Sequence, residues 1–267
     1  MAEALRAYAL IVSMWVRSTM TYRLSFVLAI ICNAALTMLD FVAILIMFAH
    51  VDRLGGFSVA EVGLLYGSTS LALALCHLAL GDVERIGGRI RDGSLDVMFV
   101  RPAPIFVQVA ADRFALRRLG RAAQGLGVLV WALAEVEVDW TAWRVALLLS
   151  MLVSGAAIFG ALVTLGGVFQ FWAQDAAEVQ NAFTYGGNTL LQYPPTIFAR
   201  ELVRGVTFVV PLAFVNWLPA LRLLGREDPL GLPGWADFLS PVVAAALCGV
   251  AALAWRAAVR GYRSTGS

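Results

Sequence analysis

Asp40 is a carboxylic acid inside an otherwise apolar stretch, and it shares a helix face with two further polar residues. Asn33, Thr37 and Asp40 follow an i, i+4, i+7 spacing within residues 25–48. A carboxyl group at membrane depth costs about 2.5–3.5 kcal/mol on insertion scales, so it is expected to face a partner or water. This face predicts either the polar lining of a substrate path or hydrogen bonds between helices. Asp40 would be the proton site if the chain were an ion-driven transporter working alone.

A second polar face lies later in the chain, within residues 175–193. Four polar residues share an i, i+4, i+7, i+11 spacing, which is typical of one side of a helix: Asn181, Tyr185, Asn188 and Gln192. The segment is therefore interpreted as a membrane span. The alternative is that it does not cross, because hydropathy alone favours residues 205–224 as the span.

Few side chains could act as a nucleophile, a base or a metal ligand. Ser68 and His77 lie nine residues apart on one apolar segment without a G-x-S-x-G motif, so an intramembrane hydrolase is the weaker alternative. No metal site is predicted, because His50 is the only other histidine. The three cysteines are isolated in apolar runs, as small buried hydrophobic residues are: Cys32, Cys76 and Cys248.

The basic residues, 20 in number, are all arginine. A P-loop of the form G-x-x-x-x-G-K-[ST] needs a lysine to reach the phosphates, so the chain is predicted to hold no ATP site of this kind. A net charge of +2 argues against a nucleic-acid partner.

The composition is that of a polytopic membrane protein, with 60% hydrophobic and 14% charged residues and a mean hydropathy of +0.79. We expect an all-α membrane protein consisting of one domain over residues 1–267. Residues 1–22 predict an amphipathic helix at the membrane interface, because arginines and aromatic residues fall on opposite sides. Six spans are predicted at residues 25–48, 62–80, 122–136, 145–172, 175–193 and 239–255.

A charged segment at residues 81–104 separates the second and third predicted spans. Val83, Ile86 and Ile90 recur at i, i+3 and i+7, which predicts a short amphipathic helix over residues 82–92. Asp82 suits the first turn of that helix, and Gly93 suits its end. The helix either lies under the bundle or touches something outside the membrane.

The arginines predict the orientation of the chain. Residues 81–121 hold eight arginines against five acids, whereas residues 135–142 hold three acids and no arginine. The positive-inside rule therefore places the first loop and both termini in the cytoplasm. Four external arginines and an acidic cytoplasmic turn at Asp175 and Glu178 fit this assignment poorly.

Three stretches resemble the permease subunits of ABC-2-type ATP-binding-cassette transporters. Residues 90–102, IRDGSLDVMFVRP, are similar to the family's cytoplasmic pattern I-x-x-G-x-L-D-x-x-L-x-R-P, with Phe99 in place of the usual leucine. The other two stretches, QYPPTIF at 192–198 and FVVPLAFVNWLPA at 208–220, share the family's pattern of proline and apolar residues.

The resemblance implies that residues 82–92 are a coupling helix that docks on an ATPase subunit. The implied ATPase contacts are Asp82, Glu84, Arg85, Arg89 and Asp92. The implied turn back to the membrane contains Gly93, Leu95, Asp96, Arg101 and Pro102. In such permeases the path commonly lies between the first and fifth helices, which here carry the two polar faces.

The resemblance also implies a re-entrant external hairpin at residues 196–220, before the last helix. Its expected landmarks are Pro194, Pro195, Pro211, Asn216 and Pro219. Proline breaks the helical hydrogen-bond pattern, which is tolerated at membrane depth only where protein or water satisfies the freed groups. The alternative is a straight span from Gly205 that is kinked at Pro211.

The expected assembly is an exporter in the bacterial plasma membrane, in which two permease subunits, identical or homologous, act with two ATPase subunits. ATP and magnesium would bind the ATPases, and the permease itself would hold no cofactor. Membrane lipid is a further expected partner, and the substrate is expected to be apolar or amphipathic. The ion-driven transporter and the intramembrane hydrolase remain the alternatives.

Overall fold

The computed structural model describes residues 2–112, 114–173 and 177–263, and every regular element within them is helical. The expectation of an all-α fold is therefore confirmed. The longer helices are α1 (Ala2–Met20), α2 (Arg23–Phe48), α3 (Val59–Leu80), α7 (Leu119–Glu135), α8 (Ala142–Phe169), α9 (Ala177–Leu191) and α12 (Ser240–Gly261). The shorter helices are α4 (Ile86–Arg91), α5 (Ser94–Phe99), α6 (Ile105–Ala111), α10 (Arg200–Arg204) and α11 (Trp217–Leu224).

Four helices are long and apolar enough to cross a membrane: α2, α3, α8 and α12. They confirm a multi-pass membrane protein. The helices α7 and α9 have only 17 and 15 residues and run beside α3. The predicted number of six crossings therefore stays a prediction.

The helix α3 is the centre of the bundle, because α7, α8 and α9 all pack against it. Glycines allow α3 and α7 to approach closely: a Cβ atom on Gly67 would lie 2.6 Å from the backbone nitrogen of Leu129. One turn away, a Cβ atom on Gly125 would lie 3.0 Å from the backbone nitrogen of Leu71. The two helices consequently form one closely packed pair.

The bundle has two ends, which we name after a glutamate at each. At the Glu61 end, Arg226 donates to both carboxylate oxygens of Glu61 at 2.8–2.9 Å, and Thr196 donates to the Gly55 carbonyl. At the Glu84 end lie the charged segment, the end of α12 and the helix α1, whose Tyr8 hydroxyl donates to the Ala79 carbonyl at 2.8 Å. Both terminal helices therefore reach the same end.

The charged segment is a succession of short turns in place of one helix over residues 82–92. A 3₁₀ turn, Val83–Arg85, precedes α4, and Gly93 leads into α5 with a left-handed φ of 69°. The apolar stripe of Val83, Ile86 and Ile90 is buried against the bundle. That burial holds the segment under the membrane helices.

Residues 196–220 contain no continuous helix. The helix α10 runs into a π-helical turn, Gly205–Val209, and the chain breaks at Pro211 before a 3₁₀ turn, Leu212–Phe214, and α11. The side chain of Asn216 is fully buried and donates to the carbonyls of Leu65 and Leu191, both at 3.0 Å. The alternative of a straight span from Gly205 is therefore wrong.

The prolines of this region mark its turns. Pro194 and Pro195 are buried, and Pro195 begins a 3₁₀ turn, Pro195–Ile197. Pro219 lies in the first turn of α11, where a helix tolerates proline because the amide has no intrahelical acceptor. Entry of this region into the outer leaflet stays a prediction.

Candidate functional site

A small polar cavity of about 100 Å³ lies where α2, α3, α7 and α9 meet. It is lined by Thr37, Asp40, Tyr66, Ser70, Arg121, Gln124, Tyr185, Asn188, Thr189 and Gln192. The two polar faces found in the sequence thus meet at one place. This cavity is the candidate functional site of the chain.

Two residues of the predicted faces do not line the cavity. Asn33 lies where α2 crosses α7, and a Cβ atom on Gly120 would be 3.3 Å from its Cβ. Asn181 is half-buried near the start of α9, about one helical turn before Tyr185, the first residue of this face that lines the cavity. The cavity is therefore lined by the later part of each predicted face.

Half of the lining residues were missed by the sequence analysis: Tyr66, Ser70, Arg121, Gln124 and Thr189. Spacing carried a signal for them. Tyr66 and Ser70 are four residues apart on α3, and Arg121 and Gln124 are three apart on α7, so each pair shares a helix face. Arg121 is the last of the eight arginines in residues 81–121, and the positive-inside rule explains that cluster without a role in a cavity.

Hydrogen bonds between helices hold the cavity wall. The Tyr66 hydroxyl donates to the Thr37 carbonyl at 2.8 Å and accepts from the Gln124 amide at 3.2 Å. Gln192 donates to the Ser70 hydroxyl at 3.4 Å. The Gln124 amide oxygen is buried and has no hydrogen-bond partner within the described residues, so it is an acceptor open to a ligand or water.

A chain of contacts connects the cavity with the Glu84 end. The Arg121 guanidinium lies 5.7 Å from the ring centre of Tyr185, which is within the range of a cation–π contact. The Tyr185 ring lies 5.4 Å from the His77 ring. His77 Nε2 is 3.4 Å from a carboxylate oxygen of Glu84. These contacts form a continuous series from Glu84 to Tyr185, in the cavity wall.

Glu84 is the centre of a buried ionic network. It is only 8% exposed, and Arg118 lies 3.4 Å from its other carboxylate oxygen. Arg118 also donates to the carbonyls of His77 and Gly81, at 2.7 and 2.6 Å. Burial by itself raises the pKa of Glu84, but the hydrogen bond and charge of His77, followed by the charges of Arg118 and Arg85, outweigh it and hold the pKa below its usual value.

Gln170 joins the charged segment to the end of α8, and the sequence had shown no reason to select it. Its amide nitrogen donates to the Glu84 carbonyl at 2.9 Å and to the Gln180 side chain at 2.8 Å. Its amide oxygen accepts from the Gly87 backbone at 2.8 Å. The partners of its side chain are on the charged segment and α9, whereas its backbone N–H donates to Gly166 of α8, so Gln170 joins the three elements.

The residues expected to contact an ATPase divide into two groups. Asp82 and Glu84 are buried, and Arg89 pairs with Asp82 and Asp112. Arg85 and Asp92 are exposed, as is Arg91 next to Asp92. Contact between an ATPase and Asp82, Glu84 or Arg89 stays a prediction that requires these intrachain pairs to open.

The predicted return turn is hydrogen-bonded to α6. Gln108 donates to the carbonyls of Met98 and Ala103, both at 2.8 Å. Leu95 is buried, Asp96 is half-buried, and Arg101 and Pro102 are exposed. The Phe99 ring stacks on Tyr262 at 5.5 Å. The turn is therefore attached to the end of α12.

A family model described as ABC-2 family transporter protein matches residues 34–266. The chain belongs to this family. Every residue that lines the cavity falls within the match, and so does the whole charged segment. Searches of curated proteins and of solved structures found no significant match. Members of this family are membrane permeases of ABC transporters, in which the ATPase is in general a separate subunit.

Proposed function

We propose that this ABC-2 permease is the membrane subunit of an exporter for an apolar or amphipathic substrate, driven by two separate ATPase subunits that bind ATP and magnesium. The observation that carries the proposal is the continuous connection from the charged segment through Glu84, His77 and Tyr185 to the polar cavity. Movement of one end of this connection changes the shape of the other.

In this proposal the ATPase docks on the exposed side of the charged segment, around Arg85 of the 3₁₀ turn and Arg91 of α4. The hydrogen bonds of Gln170 attach that segment to α8 and α9. When ATP closes the ATPases, α4 is carried along and α9 is carried with it. The cavity then changes the side that it faces, and substrate shifts this equilibrium only through different affinities for the two states.

The proposed path lies between two permease subunits. The side chains of Asp40, Tyr185 and Thr189 are exposed in the single chain although they line the cavity, and a second subunit against α2 and α9 would enclose them. We propose six crossings, namely α2, α3, α7, α8, α9 and α12, with the Glu84 end and both termini in the cytoplasm of a bacterium.

Charge reversal on the exposed side of the charged segment tests the docking. The double variant Arg85→Glu, Arg91→Glu is expected to weaken binding of the co-expressed ATPase at least about tenfold, because like charges placed at an interface cost several kcal/mol. Co-purification and ATP-driven transport in proteoliposomes measure the effect. Arg200→Glu, an exposed arginine toward the Glu61 end, is the matched control and should behave as the wild type.

Unchanged ATPase binding and transport in the double variant would overturn the docking proposal. Transport by the purified chain without any ATPase, driven by a proton gradient, would favour the ion-coupled alternative.

Two asparagines on α9 offer a matched test of the cavity. Asn188→Leu removes a lining side chain that accepts from Thr69 at 3.5 Å, and transport is expected to fall about tenfold, as the loss of one polar contact of about 1.4 kcal/mol implies. Asn181→Leu makes the same chemical change outside the cavity and should retain most transport. Equal loss in the two variants would show that the cavity is not the path.

A further inference from the structure

A second and much larger groove lies beside the last part of α3, from Leu75 to Leu80, and shares no lining residue with the polar cavity. It has a volume of about 830 Å³ and runs between α3, α6, α8 and α12. Its wall is almost entirely apolar, and small residues such as Ala157 and Gly160 on α8 and Ala252 on α12 leave the space open. This volume is in the range of a ligand site.

Two aromatic residues, Phe106 and Trp255, contribute to the lining of the groove. Trp255 of α12 lies 5.1 Å from Phe106 of α6 and 5.8 Å from Phe171, both edge to face. About two helical turns before Trp255 on α12, the Cys248 thiol lies 3.7 Å from the Ala157 carbonyl oxygen, where α12 packs on α8. The groove is thus a defined space between packed elements.

Two arginines lie at one end of this apolar wall. Arg256 and Arg260 are one helical turn apart on α12, both line the groove and both are exposed. The lining contains no acidic residue, and no ion pair within the described part of the chain involves either guanidinium. The end of the groove is therefore a site of uncompensated positive charge at the Glu84 end of a membrane helix.

We propose that the groove binds a phospholipid with an anionic headgroup, whose acyl chains lie along the apolar wall while its phosphate contacts Arg256 and Arg260. The apolar groove and the two arginines together indicate this class of ligand. An apolar groove between membrane helices suits acyl chains, and arginines at headgroup depth pair with phosphate. The proposal depends only on the membrane location of the chain and not on the export function.

The lipid would connect α12 with α6, next to the charged segment. Trp255 contacts Phe106, and Phe171 contacts Tyr262, which stacks on Phe99 at the end of α5. Occupancy of the groove would therefore stabilise the attachment of α5 and α6 to the bundle.

Native mass spectrometry of the detergent-purified chain tests the proposal. Phosphatidylglycerol and phosphatidylcholine are added at equal concentration, and the wild type is expected to retain phosphatidylglycerol at least about tenfold better. Arg256→Gln with Arg260→Gln should remove this preference. Arg263→Gln, an exposed arginine at the same end that does not line the groove, should keep it.

A second variant tests the groove itself. Ala252→Trp fills the space from an exposed position and should reduce retention of both lipids without altering the fold, as judged by circular dichroism. Equal retention of the two lipids by the wild type would overturn the headgroup assignment. Undiminished lipid retention in Ala252→Trp, or loss of a stable dimer in that variant, would show that the groove is not a lipid site.

Discussion

Replacing Glu84 with alanine is expected to lower the free energy of unfolding by about 3 kcal/mol, the loss that follows when one partner of a buried ion pair is removed. The carboxylate is 3.4 Å from both His77 and Arg118. Without it, the Arg118 guanidinium stays half-buried beside the His77 ring with no compensating charge. Unfolding in detergent by heat or denaturant, followed by tryptophan fluorescence, measures the change.

The neighbouring arginine is the control for this substitution. Arg85 is exposed, so Arg85→Ala is expected to change the free energy of unfolding by less than about 0.5 kcal/mol. If Glu84→Ala were as stable as Arg85→Ala, the buried network would not hold the charged segment.

The pH dependence has a defined sign. Because the folded pKa of Glu84 lies below its ordinary value of 4.5, its contribution to stability is fully present above pH 4.5 and is lost as the pH falls through the folded pKa. The difference in stability between the wild type and Glu84→Ala should therefore shrink below pH 4.5. A difference that grew on acidification would contradict the assigned ion pairs.

Gly67→Ala is expected to destabilise the protein by about 1–3 kcal/mol, the usual cost of overpacking. The new methyl group would lie 2.6 Å from the Leu129 backbone nitrogen and 2.8 Å from its Cα. Since these are backbone atoms of a helix, α3 and α7 must separate. The hydrogen bond from Gln124 to Tyr66 in the cavity wall would lengthen. Transport should therefore fall together with stability.

Gly127 on α7 is the matched control, because a Cβ atom there meets nothing within 4 Å. Gly127→Ala is expected to raise the stability by up to about 1 kcal/mol, since alanine favours a helix more than glycine does. The two substitutions should thus have opposite signs in the same unfolding experiment. A neutral Gly67→Ala would mean that α3 and α7 are not in close contact.

Much of the candidate site could be predicted because helical periodicity acts within a single segment. The spacing from Thr37 to Asp40 and from Tyr185 to Gln192 placed these residues on two polar faces before any packing was known. The same reasoning overestimated the length of each face that lines the cavity. A polar face can continue along a whole helix, whereas the cavity contacts at most two turns of each helix. Asn33 and Asn181 were included for that reason.

Other residues could not be assigned from periodicity. Arg121 lies in an arginine cluster that the positive-inside rule explains, and only the crossing of α7 over α3 brings it to Tyr185. Gln170 follows an apolar helix without any pattern, yet it bonds to Glu84 and Gly87, more than 80 residues earlier. The orientation of such side chains depends on elements distant in sequence.

The sequence by itself determined that the chain is an all-helical membrane protein and that it resembles ABC-2 permeases, because hydropathy, helical periodicity and short motifs are local properties. Only the tertiary structure decided that Asp82, Glu84 and Arg89 pair within the chain while Arg85 stays exposed. The pattern of charges in the segment is compatible with either arrangement, and the burial of Val83, Ile86 and Ile90 against the bundle selects which charges are enclosed.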